Sequence, residues 1–179
     1  IISKISKKTK AILIIHVLGT SLKIDRLLKL TKKKKILIIE DTCESLGSKF
    51  KNKYLGTFGN FGTFSFYYSH QITSGEGGMV VTNNKKDYNL LKIMRAHGWD
   101  RDIDRNKKNS KKFNFINMGF NLRPLEVSAV IAKNQLKRLK KFSLIRSSNR
   151  KKIIEKLKKH KNWNDHYQFV VPEKNLEPS

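Results

Sequence analysis

Cysteine is almost absent: Cys43 is the only one in 179 residues. A single thiol excludes an intramolecular disulfide and any cysteine-based metal cluster built within the chain. Long apolar runs are missing too. The stretches from Ala11 to Ile15 and from Ile36 to Ile39 fall far short of the roughly 20 residues that a membrane-spanning helix needs. No signal peptide is visible, so a cytoplasmic location and no membrane partner are the expectation. Acidic residues are scarce, 14 Asp and Glu against 39 Lys and Arg, which leaves a formal net charge of +25. Such an excess can attract nucleic acid or anionic membranes. Here the lysines are scattered along the chain, in groups such as Lys32 to Lys35 and Lys158 with Lys159, alongside abundant Ile and Asn, as AT-rich coding DNA would produce. Aromatic residues are not interleaved with them as they are in a base-stacking platform. Compositional bias is therefore preferred to a nucleic-acid footprint, although a basic surface would still draw in an anionic substrate. An initiator Met is lacking at Ile1 and no element closes at Ser179, the pattern of a fragment or of a processed or trimmed chain. The length suffices for one domain with a real core, or for a piece of a larger one.

What is present reads as alternating strands and helices. The apolar run from Ala11 to Val17, broken only by His16, predicts a buried strand of the parallel-sheet type. Ser21 offers an N-cap for a helix whose face carries Ile24, Leu27, Leu28 and Thr31, and the lysines from Lys32 to Lys35 suit its C-terminal dipole. Residues from Ile36 to Ile39 follow as a second buried strand, completing a βαβ unit. Glu40 and Asp41 then fall at the carboxyl end of the sheet, where open α/β folds place their ligands. Strand alternation sends these two carboxylates to opposite faces.

Gly56, Gly59 and Gly62 predict turns into a strand at about Thr63 to Tyr68, and Gly75, Gly77 and Gly78 mark a loop before a short strand from Met79 to Thr82. A helix from Lys86 to His97 is followed by a polar surface loop from Asp100 to Lys112. Pro124 is placed as the first residue of a long helix with an apolar stripe of Val127, Val130, Ile131, Leu136 and Leu139. A further helix is expected from Leu144 to Lys159, and a strand from Tyr167 to Val171.

The segment IIEDTCESLGSKFKNKYLGTFGNFGTFSFYYSHQITSGEGGMVVTNN, Ile38 to Asn84, is the most specific. An ED pair closes a strand; G-T-F-G, S-F and a G-E-G-G turn into V-V-T follow in order. RAHG at Arg95 to Gly98 and GFNLRPLE at Gly119 to Glu126 come later. Together these motifs resemble the DegT/DnrJ/StrS family of sugar aminotransferases and dehydratases, over roughly His16 to Leu139. The resemblance implies an α/β chain with the aspartate-aminotransferase-like large domain of pyridoxal-phosphate enzymes (fold type I) and a mixed, mostly parallel sheet. Residues 1–123 would be part of that cofactor-binding domain. Residues 124–179 would be the long helix and the beginning of a small C-terminal domain.

The resemblance also assigns roles. The family binds pyridoxal 5'-phosphate (PLP) or pyridoxamine 5'-phosphate (PMP). Asp41 would pair with the pyridine nitrogen, Ser65 would bond the phosphate, and Glu44 lies where relatives carry Gln or His near the ring hydroxyl. Asn121 and Arg123 match a segment that reaches the neighbouring subunit's site, implying a homodimer. Without the resemblance, Asp41 reads equally as a capping or turn aspartate, Ser65 as a buried strand serine, and Asn121 with Arg123 as a loop-to-helix junction.

One position departs from the aminotransferase pattern. Five residues after the serine those enzymes carry the lysine that links covalently to PLP; here the residue is His70, in SFYYSHQITSGEGG. Imidazole cannot form that link but can move protons near neutral pH. Its bland readings are an ordinary core or loop histidine, or a decayed aminotransferase. With the E-S and S-H-x-I context, the exchange resembles the branch that removes the 3-hydroxyl of 4-keto-6-deoxy sugar nucleotides. That branch makes 3,6-dideoxysugars for lipopolysaccharide O-antigens. One histidine type acts on a GDP-linked mannose derivative and regenerates PMP with glutamate. The other acts on a CDP-linked glucose derivative and needs cysteines for an iron–sulfur cluster after RxHG; Asp100 to Phe115 holds none, which favours the GDP type. The alternatives are a sugar-nucleotide aminotransferase that tolerates His70 and a non-catalytic basic nucleic-acid-binding protein.

Overall fold

The computed structural model of the chain describes residues 1–101, 103 and 113–179. In chain order the elements are β1 (Ala11–Ile15), α1 (Ile24–Lys34), β2 (Leu37–Asp41), β3 (Lys49–Phe50), β4 (Lys53–Tyr54), β5 (Phe61–Ser65) and β6 (Gly78–Val81). They continue with α2 (Lys85–Met94), α3 (Glu126–Leu136), α4 (Leu139–Leu157), α5 (Trp163–His166) and β7 (Leu176–Glu177).

The main sheet has the order β1-β2-β5-β6. β1, β2 and β5 are parallel and β6 closes the edge antiparallel, so the sheet is mixed and mostly parallel, as expected. The predicted βαβ unit is present as β1, α1 and β2. α1 buries Ile24, Leu27 and Thr31. Ile24 and Leu27 pack with Ile14 and Ile38 of the sheet and with Phe50, Leu55 and Leu176. Lys35 ends the helix in the left-handed conformation, and the amide of Ile36 returns to the carbonyl of Thr31. A small second sheet, β4-β3-β7, brings the C-terminal segment back onto this core.

The sheet is covered on one side. Register pairs Ile14 with Glu40 and Glu40 with Gly62, and these residues are buried. The alternate residues Leu13, Ile15, Leu37, Ile39, Asp41 and Thr63 share the other face, where Leu13 and Ile15 are each 59% exposed. Gly62 has a steric reason: a Cβ there would collide with the carbonyl oxygen of Gly56. Only glycine lets the 54–60 loop lie against β5.

Several boundaries differ from expectation. Ser21 does not cap α1; its hydroxyl donates to the carbonyl of Leu22, and the helix begins after Lys23. β1 stops at Ile15, short of the expected Val17, and the chain turns left-handed at Leu18 (φ 50°). β5 ends at Ser65, where the amide of Tyr67 turns back onto the Ser65 hydroxyl. Pro124 lies outside α3, which is preceded by an extended Leu125 and starts at Glu126. The stripe of Val127, Val130, Ile131 and Leu136 is exposed instead of buried. α4 begins five residues before the expected Leu144. No strand forms from Tyr167 to Val171; the returning strand is β7. α2 is capped by the side chain of Asn84 and ends at Met94, because the amides of His97 and Gly98 leave the helix ladder, His97 for Phe120. Most of the predicted 100–112 loop lies outside the described residues.

The covered face predicts a mutational asymmetry. In the 179-residue chain, Ile24→Ala should destabilise by about 2–5 kcal/mol in urea titration. Leu13→Ala, on the open face, should stay within roughly 0.5 kcal/mol of the parent.

Candidate active site

Asp41 is the last residue of β2 and projects on the open face beside Thr63. Its Oδ1 accepts the amide hydrogen of Cys43 (3.1 Å), the short turn bond that aspartate makes readily. The Cys43 thiol also lies against this carboxylate. Burial, with the Asp41 charge added, pushes the thiol up to about 11, so it stays protonated at neutral pH. Ser65 lies two residues beyond Thr63 on the same strand and therefore on the same face. The structure thus brings Asp41 and Ser65 to one surface at the carboxyl edge of the parallel strands.

His70 sits in the loop after β5. Its amide donates to the carbonyl of Tyr67 (3.1 Å), and its ring lies edge-on to the Tyr67 ring. The next residue ties this loop to the Asp41 turn: Gln71 Nε2 donates to the carbonyl of Glu44. Glu44 itself is exposed, and its carboxylate accepts the amide hydrogen of Leu18 (3.1 Å). That bond holds the left-handed loop after β1 against the 41–45 turn. Asn121 and Arg123 are elsewhere. Both are exposed, on a segment that pairs with the end of α2 through Ala96 and Asn121. No hydrogen bond among the described residues joins them to Asp41, Ser65 or His70. A cleft of about 590 Å³ lined by Arg150, Trp163 and Tyr167 belongs to the C-terminal segment and contains none of the predicted site residues.

Sequence reasoning placed Glu40 on the opposite face from Asp41 but missed what it does there. Glu40 and His16 are both fully buried. His16 Nε2 donates to Glu40 Oε2 (3.0 Å), which also accepts from Gly56 N (2.8 Å). Oε1 accepts from Phe58 N (2.7 Å) and Gly59 N (2.6 Å). Burial alone would raise the carboxyl group's pKa, but the hydrogen bonds from His16, Gly59 and Gly56 outweigh it and hold the group below its ordinary range. The available signal was a lone polar residue in an apolar strand, two residues after the isoleucine that pairs with Glu40.

Comparison with known proteins gives this geometry its context. Residues 1–170 match the DegT/DnrJ/EryC1/StrS aminotransferase family, and the chain belongs to it. Its fold is accordingly that of the PLP-dependent aminotransferases, seen here in part. It is 39% identical over 165 residues, 87% of the chain, to GDP-4-keto-6-deoxy-D-mannose 3-dehydratase of Escherichia coli O55:H7, 42% of which is covered. A crystal structure of GDP-4-keto-6-deoxymannose-3-dehydratase with a trapped PLP–glutamate geminal diamine superposes with a TM-score of 0.82 at 38% identity, covering 89% of this chain and 44% of that one. The UDP-4-amino-4,6-dideoxy-N-acetyl-β-L-altrosamine transaminase of Campylobacter jejuni is 35% identical over 135 residues, 72% of this chain and 33% of the relative. The chain thus spans about two-fifths of the length of the dehydratase it matches.

The Glu40 bonds predict a pH-dependent cost of mutation. Glu40→Gln should destabilise by about 3–5 kcal/mol at pH 7, because an amide cannot accept from all four donors. The folded pKa of Glu40 lies below the unfolded value of about 4.3, so its contribution is complete above that pH and is lost as pH falls through the folded value. Urea titrations at pH 7 and pH 3 should therefore show a smaller gap between parent and variant at the lower pH.

Proposed function

We propose that the chain carries the cofactor-facing part of a PLP/PMP-dependent 3-dehydratase acting on a GDP-linked 4-keto-6-deoxy sugar, with His70 as catalytic base. The observation that carries the reading is His70, on a loop tied by Gln71 to the Asp41 turn, in a stretch without any lysine from Tyr54 to Asn84. The similarity to GDP-4-keto-6-deoxy-D-mannose 3-dehydratase supports it.

The residues present suit the cofactor. The open face offers a carboxylate, Asp41, able to accept a pyridinium N–H, and a hydroxyl, Ser65, able to donate to a phosphate, on adjacent strands. When bound, PMP supplies a primary amine for the sugar's 4-keto group and a ring that withdraws electrons. Asp41 keeps the ring nitrogen protonated. Ser65 Oγ–H anchors the phosphate. His70 would take a proton at the bound cofactor's exocyclic aminomethyl carbon and, as imidazolium, would give one to the sugar's departing 3-hydroxyl. With no lysine amine at position 70, nothing in this loop captures the PLP aldehyde. Glutamate would be the amino donor, and the pathway would be that of 3,6-dideoxysugars for lipopolysaccharide O-antigen, in the cytoplasm. No helix among the described residues is long and apolar enough to cross a membrane.

The same reading makes Glu44 a neighbour of the cofactor and the protein a homodimer in which Asn121 and Arg123 serve the partner's site. Both residues are exposed here, on a segment where Met118, Phe120, Leu122 and Leu125 are exposed as well. Residues 1–123 then belong to the large domain and residues 124–179 open the small one.

Three measurements test the proposal. Borohydride reduction of the PLP-loaded protein should trap no lysine adduct. Incubation with PLP, glutamate and GDP-4-keto-6-deoxymannose should yield a product lacking the 3-hydroxyl; a 4-amino sugar would point instead to an aminotransferase. His70→Asn should lower turnover by roughly 10²–10⁴-fold, the usual contribution of a positioned acid–base group.

A further inference from the structure

Glu40 is a costly residue for a core. A well-packed aliphatic side chain there would continue the Ile14 and Ile38 layer without the desolvation that a carboxylate incurs. What a carboxylate adds is direction, because it is tolerated only where its donors are. Direction is what β2 otherwise lacks. Leu37, Ile38 and Ile39 are all apolar, so hydrophobicity does not decide which alternate set faces the core. A slip of one residue would turn Asp41 inward and Glu40 outward. Four donors meet Glu40 on the covered side, from His16, Gly56, Phe58 and Gly59.

His16 holds both acidic residues. Its side chain donates to Glu40, while its backbone amide donates to the carbonyl of Asp41 (2.9 Å). The carbonyl of His16 accepts the hydroxyl hydrogen of Ser45, and the Ser45 hydroxyl accepts the amide hydrogen of Gly19 (2.9 Å). The turn from Asp41 to Ser45 is thereby sewn to the loop after β1.

We infer that His16 and Glu40 are positioning residues: a buried pair that locks the register of β2 and so presents Asp41 on the open face. The functional consequence rests on the cofactor role given to Asp41 above; the lock itself does not.

Hydrogen exchange on the 179-residue chain reads the lock without cofactor. His16→Phe removes the side-chain donor. It should speed exchange of the Thr42 and Cys43 amides roughly tenfold or more, leaving those of α2 unchanged. His16→Gln, whose amide can donate to Glu40, should restore the slow exchange. PLP titration of Asp41→Asn, His16→Phe and the double variant then tests the coupling. If His16 acts through Asp41, the double variant binds no more weakly than Asp41→Asn alone. Unchanged turn amides, equal acceleration in the turn and α2, or additive losses of PLP affinity would each overturn the inference. If the turn amides respond as expected but Asp41→Asn binds PLP like the parent, the lock stands and the cofactor role of Asp41 fails.

Discussion

The Glu40 carboxylate is the interaction on which the rest of the site depends. Every acceptor position it has is used: His16 and Gly56 bond one oxygen, Phe58 and Gly59 the other. Those donors come from the end of β1 and from the loop that leads into β5, so one side chain joins β2 to the chain on either side of it. A buried charge without such partners would cost several kcal/mol, while the same charge fully paired fixes its surroundings in one arrangement. The glycines of the 54–60 loop follow from this. The loop amides must come close enough to reach a carboxylate, and a Cβ at Gly59 would strike the backbone of Ile38.

That constraint separates the two faces of the sheet by function. The covered face holds Ile14, Ile38 and Glu40 under α1. The open face carries Asp41, Thr63 and Ser65 at its carboxyl edge, with Leu13, Ile15 and Leu37 exposed behind them. Since the chain spans about two-fifths of the dehydratase it matches, an aliphatic face of this extent on a core sheet is what partial coverage of the fold would leave.

Much of this was legible in the sequence, for reasons that can be named. Parallel strands as apolar runs, the amphipathic face of α1 and the position of Asp41 at a strand end all follow from periodicity and composition, and the structure holds them; the burial expected of those runs holds on one face only, since Leu13 and Ile15 lie exposed on the other. The family could be read because its motifs are spread over many residues in fixed order, and the match over residues 1–170 agrees. What failed was set by contacts that periodicity does not show. Ser21 had the chemistry of a cap, but its hydroxyl and the amide of Ile24 both bond the carbonyl of Leu22, and the helix starts after Lys23. The stripe on α3 had helical spacing, but spacing shows which residues share a face and not whether anything covers it. The expected strand after α5 was displaced because the C-terminal segment pairs only where it meets β3. The role of Glu40 was invisible because its partners are backbone amides, which a sequence does not display.

A frame this constrained makes chemistry replaceable at one position. Asp41 is fixed by its strand and by the Cys43 turn, and the loop carrying His70 is fixed to that turn through Gln71 and Glu44. Neither attachment uses the side chain at position 70. An amine and an imidazole can therefore exchange there without disturbing the rest, and the relatives include both a transaminase and a dehydratase at comparable identity. Overall similarity hence supports a reaction only together with the residue at this position. On the reading proposed above, the group at position 70 decides: an amine can hold an aldehyde as an imine, whereas an imidazole cannot form that link but can take and return a proton. Elimination needs the second ability and not the first.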